Sequence, residues 1–159
     1  MSIHTFARTT ILAGLALAAA GTANADVFLK VAGTPGDALQ KGFEGQITLS
    51  GANMSISSFV VPDPDGLVDT VRTTNVGPLF LNKSPDRSSA RLMMSAVEGA
   101  PLGTIEITFT TPGRPGLPQA VESRWILEGA EVRSFNVFQD ASSGTAPTET
   151  VEIAYSSMR

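Results

Sequence analysis

From residue 26 onward, apolar side chains recur at every second position in short runs, and glycine or proline breaks each run. Ile105, Ile107 and Phe109 alternate strictly with Glu106, Thr108 and Thr110, and Val151, Ile153 and Tyr155 repeat the pattern. A period of two is that of a strand with one buried face, so this feature commits the chain to a sheet. Val27, Leu29 and Val31 alternate with Phe28 and Lys30, a strand apolar on both faces. Residues 43–50 (FEGQITLS) and 54–61 (MSISSFVV) read as one strand broken at Gly51, or as two. Residues 71–81 hold a further strand. Residues 121–132 hold another, with Trp125 and Leu127 inward by parity, and across Gly129 one more runs through Phe135 and Val137. Pro62-Asp63-Pro64-Asp65-Gly66 and residues 112–118 (PGRPGLP) cannot enter a sheet interior, because proline brings no ladder donor.

One segment changes period. Ser84 is suited to an N-cap, Pro85 to the first helical position and Asp86 to the positive end of a helix dipole. Ala90, Met93, Met94 and Val97 then fall on one helical stripe, and Gly99 ends it. This predicts a helix over 85–98 whose Met93-Met94 pair packs on the core. Many short strands and one helix define a mainly β fold: a compact antiparallel β-barrel of two packed sheets with one flanking α-helix.

The N-terminus carries a different signal. His4 and Arg8 precede a ten-residue apolar run, residues 11–20, and then Ala23-Asn24-Ala25. Basic start, short apolar stretch and Ala-x-Ala site are the three parts of an export signal. The run is too short to span a bilayer, which takes roughly 20 residues. The expectation is cleavage after Ala25, with residues 26–159 as one domain and no membrane insertion afterwards.

Cleavage sharpens the composition. Loss of Arg8 leaves 10 Lys and Arg against 15 Asp and Glu, and loss of His4 leaves no histidine. The chain has no cysteine either. Ser-His and Cys-His nucleophiles, the usual zinc sites and disulfide support are thereby excluded. An acidic domain without a basic run offers no footprint for nucleic acid or an anionic membrane. Asp63, Asp65 and Asp69 do not follow calcium-loop spacing and read as a solvated turn. Glu128 and Glu131 beside Arg124 and Arg133 read as a charged strand face, and Trp125 as a core aromatic. No catalytic, cofactor-binding or metal-ligating residue is assigned. A last strand stopping near Arg159 would leave backbone groups open to strand addition.

In sequence order, Phe28-Leu29-Lys30-Val31 with Gly33, then residues 41–47 (KGFEGQI), resemble the opening of the Hcp family, the tube protein of type VI secretion. Lys83, Asp86, Ser88, Ser89, Leu92, Ala96 and Gly99 resemble that family's strand-to-helix segment. Residues 105–109, 132–135 and 147–155 (PTETVEIAY) are similar to its later strands. The resemblance implies a non-enzymatic structural protein: a barrel with one helix, six copies closing into a ring, rings stacking into a tube, and small effector proteins or other secretion components as partners. It implies that loop 32–41 reaches the neighbouring ring and that helix 85–98 lies at the lumen or between protomers. The export signal, by contrast, suits a periplasmic or extracellular binding module that keeps the barrel without building the tube.

Overall fold

The computed structural model describes residues 25–62, 65–66, 70–112, 119–140, 142 and 144–159. The expected leader lies outside them apart from Ala25, and so does most of loop 112–118. In chain order come β1 (Val27–Val31), β2 (Ile47–Leu49), β3 (Gly51–Pro62), β4 (Thr70–Lys83) and α1 (Ser89–Glu98). Then follow β5 (Pro101–Thr110), β6 (Val121–Phe138), β7 (Thr148–Ala154) and β8 (Ser157–Met158).

The two expected layers are opposite walls of one antiparallel sheet, ordered β2-β1-β5-β6-β7-β4-β3 with β8 added on β6. Its two ends are joined by the chain itself. β2 pairs with β1 and β3 pairs with β4, yet only Ser50 separates β2 from β3. Ser50 donates its N–H to the Asn82 carbonyl at 2.8 Å, which seals the bend. Inside lie Leu29, Ile47, Leu81, Ile107, Leu127 and Ile153, one from each of six strands.

Two strands were harder to place from their alternation. Residues 121–138 form one strand, not two. Leu127 is buried at an odd position, but Ala130 and Val132 are buried at even ones. Gly129, at φ 61°, takes the left-handed conformation at this switch. A second register shift between Val132 and Ser134 returns Phe135 to the inner side, opposite Val151. Residues 43–46, expected in a strand, belong to the loop 32–46. Gly36 sits so close to the Gln46–Ile47 backbone that a Cβ there would meet the Gln46 oxygen at 2.3 Å. Ala38 N–H donates to the Gln46 carbonyl at 3.0 Å, and Phe43 stacks on Phe28 with ring centroids 4.3 Å apart. This loop therefore covers the outer face of β1, which is why that strand is apolar on both sides.

The helix begins at Ser89, four residues later than Pro85, with Ser88 at the N-cap. Asp86 accepts from the Ser88 N–H at 2.9 Å, and the Ser89 hydroxyl accepts from the Asp86 N–H at 3.0 Å. Gly99 ends the helix as expected, at φ 65°. The buried row is Leu92 with Ser88 and Ser95, small residues that let α1 lie close to the barrel. The expected core stripe points the other way: Met93 is 46% exposed, Met94 43% and Val97 76%.

At the start of α1 a charge is buried. Lys83 is 1% exposed and lies opposite Glu149 in the β4–β7 ladder. Its Nζ donates to Glu149 Oε2 at 2.6 Å and to Ser89 Oγ at 3.0 Å, and it stands 2.8 Å from Asp86 Oδ1. Removing one member of a buried ion pair costs about 3–5 kcal/mol, far more than replacing the whole set. Lys83→Met is therefore expected to lower unfolding free energy by about that amount in urea titrations. Adding Glu149→Leu should restore part of the loss, whereas a loss that stays the same or grows would contradict the assignment.

Candidate assembly surfaces

The described residues contain no group of three or more His, Cys, Asp or Glu placed to hold a metal ion. Asp63 and Asp69 lie outside the described residues, and Asp65 is exposed. The acidic and basic residues of β6 disperse into separate pairs. Arg124 meets Glu106 at 3.0 Å, Arg133 meets Glu131 at 2.7 Å, and Arg159 meets Glu128 at 3.4 Å. All are solvent-exposed pairs of small energetic weight. Trp125 packs against the core and tilts over Phe109, centroids 4.6 Å apart.

What the surface does offer is apolar relief. β4 pairs with β7 only over Leu79–Lys83, so residues 55–62 and 70–77 pair solely with each other. They form a two-stranded ribbon running past the barrel. Ile56 and Val60 face the same side as Val76 and are about half exposed, while Phe59 points to the other side. A lone two-stranded ribbon is marginal in water, and this one shows apolar side chains on both faces. Alternation holds only over Met54–Ser57 and breaks at Ser58, after which Phe59, Val60 and Val61 place apolar side chains on both faces.

At the ribbon's base lies an open groove of about 600 Å3, bounded by Ile56, Val76 and Pro78, by Arg133 and Glu152, and by the C-terminal Met158. The C-terminus is not a loose edge. β8 pairs with β6 through Leu127 and Glu128, and Arg159 exchanges two backbone hydrogen bonds with Ile126, at 2.8 and 3.0 Å. Tyr155 holds the turn before it, with Oη 2.8 Å from Met54 Sδ and 3.4 Å from the Gly77 carbonyl oxygen. Loop 32–41, the expected stacking element, is tied by its backbone to residues 45 and 46. Within it Leu39 alone among the large apolar residues is fully exposed. Arg87 bridges from the helix approach to Asp37 in this loop, and that hydrogen bond holds the Asp37 carboxyl below its usual range.

No helix among the described residues is long and apolar enough to cross a membrane. The barrel core is sealed, and exposed apolar side chains lie on the ribbon, on the helix ridge and along the groove. The model of the family described as "Type VI secretion system effector, Hcp" matches residues 28–159. The chain belongs to this Hcp family, and it is a structural protein of type VI secretion. Similar folds occur in Hcp1 from Salmonella typhimurium, TM-score 0.70 at 16% identity, covering 85% of this chain and 84% of that one. Hcp1 from E. coli EAEC 042 gives 0.67 at 20%, covering 85% and 88%. The secreted protein Hcp3 from Pseudomonas aeruginosa gives 0.58 at 19%, covering 84% and 86%. No curated protein matches the sequence significantly.

Burial raises the Tyr155 pKa above its ordinary value near 10. The folded chain thus holds the phenol proton more tightly than the unfolded chain. Stability is unaffected at neutral pH and falls as pH climbs through about 10, where the unfolded chain ionises first. Melting temperatures between pH 8 and 11 should drop less steeply for Tyr155→Phe than for the parent; parallel curves would contradict this.

Proposed function

We propose that residues 1–25 direct export and are removed, and that domain 26–159 closes into a ring of identical copies. Six copies is the number that the family resemblance implies. The rings stack end to end into a conduit for small effector proteins, with no catalytic step by the subunit itself. The observation that carries this reading is the ribbon. Its apolar residues have no cover within one chain, and a second copy supplies it. Membership in a secretion family with tube-forming members supports the same reading, and the apolar run of residues 11–20 supports export.

Two measurements test it. Light scattering of the purified protein over a range of concentration is expected to give a closed ring, and a strictly monomeric mass at high concentration would sink the proposal. Ile56→Asp with Val60→Asp should then weaken association at least tenfold, about 1.4 kcal/mol. Fold stability should change little, since surface substitutions usually stay within about 0.5 kcal/mol each. Separately, the intact mass of protein recovered from a Sec-competent bacterium should correspond to a chain starting at Asp26. Recovery of the uncleaved chain in the cytosol would remove the export half of the proposal and leave the ring.

A further inference from the structure

We propose that the exposed ridge of α1 on one copy seats in the groove at the ribbon base of the next, with Glu98 of the helix meeting Arg133 of the groove. This rests on the ring reading and names the surfaces that close it.

Shape makes the first argument. The ridge is convex, formed by Met93, Met94 and Val97, all exposed on a helix that Gly99 closes at its C-terminus. The groove is concave and walled by Ile56, Val76, Pro78 and Met158, with room for several side chains in its roughly 600 Å3. Unbranched methionine fills irregular apolar hollows of this kind without a fixed rotamer. The groove also includes the base of the ribbon, so seating the helix there extends the surface already assigned to contact between copies.

Direction makes the second. Leu92 turns the buried face of α1 into the barrel core. The Arg133 side chain is 61% exposed and Glu152 neighbours the inward Ile153, so both stand on the outside of their strands. Ridge and groove are therefore different patches with different outlooks. A contact between unlike patches is heterologous, and repeated with a constant rotation it closes into a ring.

Charge makes the third. A helix favours anions at its N-terminus and cations at its C-terminus. α1 has the reverse: no acidic residue in its first turn, which holds Arg91, and no basic residue in its last, which ends in Glu98. The groove wall carries one charge of each sign, Arg133 and Glu152. Arg133 beside Glu98 would give the helix C-terminus the cation that its own sequence withholds.

The chain has no cysteine, so introduced thiols report on an empty background. Met94→Cys with Met158→Cys in one full-length chain, oxidised at the assembly concentration, is expected to give a covalent ladder ending in a closed ring. Either single variant should give nothing larger than a dimer, and Met94→Cys with Leu39→Cys should give no ladder. Rings by light scattering without a Met94–Met158 ladder would overturn this contact and leave the ring reading intact. Absence of rings in the parent protein would overturn both. As a second arm, Arg133→Glu should weaken assembly at least tenfold with an unchanged far-ultraviolet circular dichroism spectrum. Adding Glu98→Arg should restore most of it, and failure of that restoration also overturns the contact.

Discussion

Lys83 is the point on which the architecture turns. It ends the strand that carries the ribbon, stands opposite Glu149 on β7, and reaches Asp86 and Ser89 at the start of the helix. A buried ammonium disfavours a slip in register, since moving either strand by one residue would take Glu149 away and leave Asp86 as its counter-charge. The same group thus fixes the β4–β7 ladder and the direction in which α1 leaves the barrel. In a chain without disulfides, this cluster and the close-packed interior carry what a covalent bridge carries in many small exported domains.

From that fixed frame the molecule divides its apolar residues in two. Those inside the barrel are sealed completely, because the bend at Ser50 makes the first and last strands of the sheet one continuous segment. Many of those outside sit on elements that a single chain leaves uncovered: the ribbon beyond Met54, the ridge of α1, and the groove between the ribbon and the C-terminus. Scattered exposed apolar residues are ordinary on any surface. Here eight of them, Ile56, Phe59, Val60, Val76, Met93, Met94, Val97 and Met158, fall on the ribbon, the ridge and the groove, while Leu39, Val137 and Phe138 stand apart.

Much of this was legible in the sequence, and the failures share a cause. Strand alternation around Ile105 to Phe109 and Val151 to Ile153 is legible directly, because the pairing register is unbroken over those residues. β6 misled at Gly129 and Val132, where two shifts of register reset the parity that the argument assumes. The helix misled more deeply. Ala90, Met93, Met94 and Val97 form a sound amphipathic stripe, but periodicity reports only that a face will be covered, not by what. The covered face within the chain is Leu92 flanked by Ser88, Ser95 and Ala96, a single large apolar residue among small ones and so a weaker pattern than the exposed stripe. The outward reach of loop 32–41 is what the family resemblance implies and not what any local pattern states; its attachment rests on backbone hydrogen bonds and the bare Cα of Gly36, neither of which pattern reveals.

Ring closure asks more of a subunit than sticky patches. With unlike surfaces in contact, the rotation between neighbours is the angle between those surfaces within one copy, and a drift in that angle yields an open helix in place of a ring. Both surfaces here are held to the same rigid wall. The Lys83 cluster pins α1 to β4 and β7, and Tyr155 together with the β8 pairing pins the C-terminal rim of the groove to β3, β4 and β6. The angle between ridge and groove is therefore a property of the barrel and not of a flexible linker. In the proposed ring the buried charge therefore contributes to assembly as well as to folding: loosening Lys83 would broaden the distribution of ring sizes before it unfolded the subunit.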